Sequence, residues 1–92
     1  MFIMARVNVT WGDKWEYEYE GHKIVVRNGF DACQLLVDGK VQDAHNGISL
    51  SATLTGKLPE GKAIKATLGG FWTMKCSLFV DHEMIEPVKH EG

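Results

Sequence analysis

Two cysteines and four histidines are the side chains of this 92-residue chain with the means for covalent or metal chemistry. Paired as Cys33 with His45, or Cys76 with His82, they would make a thiolate nucleophile and its base, provided the thiol is exposed and acidic. The spacing argues otherwise. Each cysteine opens the same phrase, Cys-x-Leu-x-Val-Asp, at residues 33–38 and again at 76–81. Cys, Leu and Val recur there at period two, which turns all three to one face of a strand. Both thiols are therefore expected in the core as small free hydrophobes rather than joined in a disulfide. His22, His45, His82 and His90 are scattered, none at ligand spacing from another or from a cysteine, and read as turn and surface residues. No metal or other cofactor is implied. Asp38 and Asp81 could form a matched carboxylate pair for acid–base work, but an Asp closing a strand already serves the turn. Gly69-Gly70 alone is too little for a phosphate loop.

Binding has better candidates than catalysis. Phe71 and Trp72 follow a flexible glycine pair, and with Trp15 or Trp11 they could form a patch for a partner or ligand. The competing reading anchors Phe71 in the core like Phe30 and leaves Trp72 as a half-buried lid. Trp15, Tyr17 and Tyr19 alternate with Lys14, Glu16, Glu18 and Glu20; the aromatic face is expected to be core. The Glu face is expected to be solvated, its like charges discouraging edge pairing. Residues 48–55 alternate most cleanly, with Ile48, Leu50, Ala52 and Leu54 inward and Ser49, Ser51, Thr53 and Thr55 outward. That uncharged hydroxyl face suits contact with water or a partner, so Ser51 and Thr53 join Trp72, Phe71 and Trp15 as contact candidates.

Short strands must position these residues. Alternation marks 6–11, 14–20, 22–28, 40–44, 48–55, 62–68 and 84–88, besides the two phrases. Turn signals fall between them at Gly12-Asp13, Gly21, Asn28-Gly29, Asp38-Gly39, Asn46-Gly47, 56–61 with Pro59, Gly69-Gly70 and His82-Glu83. Gly39 is expected to take positive φ in a tight type I′ hairpin. Pro87 marks the last strand as an edge or an end. No stretch combines a 3.6-residue period with caps and helical length, so no substantial helix is expected. The fold expected is a single all-β domain over 1–92. It is a small antiparallel β-sandwich or partly open barrel of about eight short strands, with an internal pseudo-repeat. Residues 1–4 and 89–92 are expected to fray.

Composition narrows the function classes. The chain is 45% hydrophobic and carries a net charge of −2, with no run of Lys or Arg. Nucleic acid and anionic membranes, which reward basic stripes, are not expected partners. The apolar start, 1–5, is short for a secretory signal and lacks a basic stretch before it, and the default location is the cytoplasm.

Gly21-His22-Lys23-Ile24, then Gly29 and Leu36-Val37-Asp38-Gly39-Lys40, resembles the Fas apoptotic inhibitory molecule family, as does Leu78-Phe79-Val80-Asp81 with Ile85-Glu86-Pro87. The resemblance spans most of 5–88 and implies a non-catalytic β-sandwich module with an interaction role and no active site. That family pairs two modules, whereas this chain matches one. Three readings follow. The first is a non-enzymatic protein-interaction module that meets a protein partner or a second copy of itself. The second is a small-ligand or carbohydrate-binding module using exposed tryptophan. The third is an enzyme dependent on a Cys/His pair.

Overall fold

The computed structural model describes residues 11–29, 31–47, 51–70 and 73–91. They form an all-β domain of nine strands in the order β1 (Trp11–Tyr19), β2 (His22–Gly29), β3 (Ala32–Val37), β4 (Lys40–Asn46), β5 (Ser51–Lys57), β6 (Ala63–Gly69), β7 (Lys75–Val80), β8 (Glu83–Ile85) and β9 (Lys89–Glu91). Two antiparallel sheets result, one of order β4-β3-β2-β1-β9 and one of order β5-β6-β7-β8. Their inner faces share one core. Trp15, Tyr17, Ile24, Val26, Cys33, Leu35 and Val37 come from the five-stranded sheet, and Leu54, Ile64, Ala66, Leu68, Leu78 and Val80 from the other. The period-two alternation therefore does what it was expected to do: each apolar set closes on the facing sheet, every large side chain contributing about 1.5–3 kcal/mol.

The two Cys-x-Leu-x-Val-Asp phrases occupy matching places. Val37 pairs with Ile24 and Val80 with Ile64 in register. The amide of Asp38 donates to the Lys23 carbonyl and that of Asp81 to the Ala63 carbonyl, both at 2.8 Å. Asp38 and Asp81 both take left-handed φ, at 49° and 52°, followed by Gly39 at 85° and His82 at 72°. Gly39 thus has the conformation expected of it. The second turn is Asp81-His82, one residue before the expected His82-Glu83, because the register places Val80 opposite Glu83.

Several boundaries differ from the sequence reading. Gly12-Asp13 is no turn. Trp11 pairs with Gly29 and Asp13 with Asn28, so Gly12 is the extra residue of a bulge inside β1. Asn28 and Gly29 stay in β2 because β1 and β3 both pair with this end of it. β5 runs on through Gly56 to Lys57, and Leu58, inside the expected loop, is 2% exposed and part of the core. The last expected strand, 84–88, shrinks to β8. The expected frayed end at 89–92 instead carries β9, whose Lys89, His90 and Glu91 pair with Glu16, Trp15 and Lys14. Pro87 lies where the chain leaves one sheet, and the Val88 amide already donates to the Glu16 carbonyl of the other. The expected strand 6–11 apart from Trp11, residues 48–50 and the end 1–4 lie outside the described residues.

A bulge also ties the sheets together. Leu35 faces Asp43 and Leu36 faces Val41, leaving Gln42 as the extra residue of β4. Its neighbourhood turns toward β5, whose outer edge has unpaired backbone groups. Asp43 Oδ2 accepts from the Thr55 amide (2.9 Å), Gln42 Oε1 from the Lys57 amide (3.3 Å), and His45 Nε2 meets the Thr53 carbonyl (3.1 Å). Side chains of one edge strand thus stand in for the missing partner of the other, which removes an aggregation-prone edge. Gly56 fits this seam, since a Cβ there would lie 2.9 Å from the Gln42 Cβ.

The paired turns make a stability prediction of opposite signs. Gly39→Val forces a β-branched residue into the left-handed region and should cost about 1–2 kcal/mol. His82→Gly should gain about 1 kcal/mol, which for a domain of this size raises the thermal midpoint by roughly 4–8 °C. Calorimetry on both variants checks it; shifts of the same sign would mean the two turns are not alike.

Candidate functional site

Each sheet commits one face to the core, so functional chemistry must use the outer faces, the turns or the thiols. The thiols are unsuited to it. Cys33 is 5% exposed, and burial pushes its pKa up. His45 does stand opposite Cys33 in register, but its ring nitrogen is engaged by Thr53. Cys76 is half-buried, and burial pushes it up to about 11, although the hydrogen bond donated by the Tyr17 hydroxyl (3.3 Å) acts in the opposite direction. Both cysteines are free. His82 lies beyond the far end of β7 from Cys76, so that pairing is not assembled. Among the described residues no group of three or more His, Cys, Asp or Glu could hold a metal ion, and no helix is long and apolar enough to cross a membrane.

His22, expected as a surface turn residue, has two partners in the structure. Its Nδ1 meets Asp38 Oδ2 at 2.7 Å and its Nε2 meets Glu60 Oε1 at 3.1 Å, tying the start of β2 to the β3–β4 turn and to the loop after β5. The Asp38 contact chiefly raises the His22 pKa. The Lys23 amide, and then His22, lower that of Asp38.

The outer face of the five-stranded sheet pairs most of its charges, outward Glu18 being one without an ion pair among the described residues. Glu16, expected to be simply solvated, lies between Lys14 (3.2 Å) and Lys23 (3.3 Å), and Glu91 lies between Lys89 (3.0 Å) and Lys14 (4.0 Å). Arg27 donates twice to Gln34. An aliphatic row, Val25–Leu36–Val41, crosses the same face, with Val41 alone among the three strongly exposed.

The outer face of the four-stranded sheet is built differently. Ser51, Thr53, Thr55 and Lys57 point outward from β5, Ala63, Lys65 and Thr67 from β6, and Lys75, Ser77 and Phe79 from β7. Register sets them in rows, Thr53–Thr67–Ser77 and Thr55–Lys65–Phe79, the second continuing to Met84 on β8. Among the described residues these outward positions include no carboxylate, and Lys57, Lys65 and Lys75 have no ion-pair partner. Toward the Asp81-His82 turn the rows open into a hollow of about 800 Å³ that includes Gly56, Ile64 and the Gln42 side chain.

Of the residues singled out from sequence, Ser51 and Thr53 lie exposed on this face. Trp15 does not: it is 4% exposed, packed in the core and stacked on the His90 ring at 4.8 Å. Burial of its ring removes it from any aromatic platform. Phe71, Trp72 and the Trp11 side chain lie outside the described residues. Sequence reasoning missed the lysines, which are far apart along the chain and meet only through strand register. No family model matches the chain, and neither the curated proteins nor the solved structures give a significant match.

The His22 contacts predict a pH dependence. A raised histidine pKa adds stability that is complete below the unfolded value of 6.5 and is lost as pH rises through the folded value. A lowered Asp38 pKa adds stability present above 3.8 and lost as pH falls through its folded value. Wild type should therefore lose thermal stability relative to His22→Gln as pH rises above 6.5. Parallel midpoint-versus-pH curves for the two proteins would refute the pairing.

Proposed function

We propose that this chain is a non-catalytic β-sandwich module that binds an acidic protein partner on the outer face of its four-stranded sheet. One observation carries the reading: among the described residues three lysines stand without ion-pair partners, among hydroxyls and with no outward carboxylate, while on the opposite sheet Glu16 and Glu91 each lie between two lysines. An exposed ion pair contributes little to folding, so leaving these three unpaired costs the fold almost nothing and keeps them available. Complementary charge then supplies orientation and encounter rate. Small hydroxyls between the lysines let a partner approach closely.

A separate partner is favoured over a second copy on this face, because symmetric pairing would set lysines against lysines. Three lysines and no arginine are few for tracking phosphates, which favours carboxylates over nucleic acid. The buried, poorly acidic thiols support a non-enzymatic role.

Titration with poly-glutamate, followed by amide chemical shifts, tests the reading. Shifts should concentrate on 51–57, 63–69 and 75–79 and weaken with salt. Changing Lys57, Lys65 and Lys75 together to Gln should weaken binding about tenfold, at about 0.5 kcal/mol for each exposed pair. Shifts confined to the five-stranded sheet, or none, would refute it.

A further inference from the structure

Resting on that reading, we propose that the hollow over Ala63 is the anchor point, and that it takes an extended acidic peptide segment whose central apolar side chain is flanked by carboxylates. The hollow arises from side-chain size. Ala63 is exposed, and its methyl stands beside Lys57, its register partner on β5. Lys65 follows it two residues along β6, Phe79 rises opposite Lys65 on β7, and His82 borders it from the turn. Its volume of about 800 Å³ lies within the range of ligand sites. The floor is apolar, with the Ala63 methyl, the half-buried Phe79 ring and Ile64 below, so it rewards an apolar side chain.

The rim is set by Lys57, Lys65 and His82, with no carboxylate among the lining residues. A purely apolar occupant would leave the two ammonium groups unanswered, and a purely acidic one would leave the floor wet. A segment with both meets both demands. The hollow crosses three strands spaced about 4.8 Å apart, a width suited to an extended chain.

The backbone at His82 is the independent observation. Its φ is 72°, in a turn whose sister has Gly39 at 85°. A glycine would relieve that strain, yet an imidazole stands there at the rim of the hollow. Residues held in the left-handed region concentrate where a side chain has work at a surface.

The test uses the full chain and capped pentapeptides, followed by the amide shifts of Ala63, Lys65, Phe79 and His82. Glu-Glu-Phe-Glu-Glu should bind about tenfold more tightly than Glu-Glu-Ala-Glu-Glu, as expected for burying part of one aromatic ring. Lys-Lys-Phe-Lys-Lys should not bind. Ala63→Trp fills the hollow from an exposed position and should erase the preference for Phe, while retaining the weak binding of both acidic peptides. His82→Gly keeps the turn and should reduce that preference, so the proposal stays testable should Ala63→Trp fold poorly. Equal binding of the Phe and Ala peptides by wild type overturns the anchor and leaves the broader reading standing. Failure of every acidic peptide overturns both, and tighter binding of a five-residue oligothymidylate overturns the peptide assignment.

Discussion

A four-strand meander can bury one face, and this chain contains two such meanders with a single core to share. That constraint organises the molecule. Tyr17, Ile24, Leu35, Leu54, Ile64 and Leu78 are fully buried, and no described polar side-chain atom is buried without a hydrogen-bond partner. The inner faces are thus occupied, and the outer faces are left to differ. On one, Glu16 and Glu91 each lie between two lysines. The other keeps Lys57, Lys65 and Lys75 among hydroxyls. Exposed pairs add little to stability, so this contrast matters for recognition rather than for folding.

The edges have to be managed before either face can be used. At one side Gln42, Asp43 and His45 satisfy the backbone of β5, which needs the bulge at Gln42 to aim them. At the other side the chain crosses at Pro87 from β8 to β9 and returns to the edge of β1. The same seam shapes the binding surface, because Gln42 packs over Gly56 and walls one end of the hollow. Structure and recognition are therefore coupled through a few polar side chains.

Much of this was legible in the sequence where the signal is local. Alternation placed Ile24, Val26, Leu54, Ile64, Ala66 and Leu68 inward, and Asp38-Gly39 reversed the chain as expected. What was not legible depends on pairing. Gly12-Asp13 has the composition of a turn, yet Trp11 and Asp13 join the same partner strand and it becomes a bulge. Lys89-His90-Glu91 has no apolar alternation, and only the free edge of β1 makes it a strand. Leu58 sits between Gly56 and Pro59, a setting that reads as loop, yet the reversal there tucks it into the core. The hollow over Ala63 had no sequence signal, since it depends on the larger side chains that register places around an alanine. Resemblance to a known family bore on strand and turn residues alone, and the lysine face owes nothing to it.

The lysines on the two sheets differ in whether a carboxylate holds them, and amine reactivity reads that state directly. Acetylation with a limiting reagent, quantified at each lysine by mass spectrometry, should modify Lys57, Lys65 and Lys75 faster than Lys14 and Lys89, which are held by carboxylates. Adding Glu-Glu-Phe-Glu-Glu should protect Lys57 and Lys65 and leave Lys14 and Lys89 unchanged. Equal rates at all five lysines, or protection of Lys14 and Lys89 in place of Lys57 and Lys65, would contradict the account.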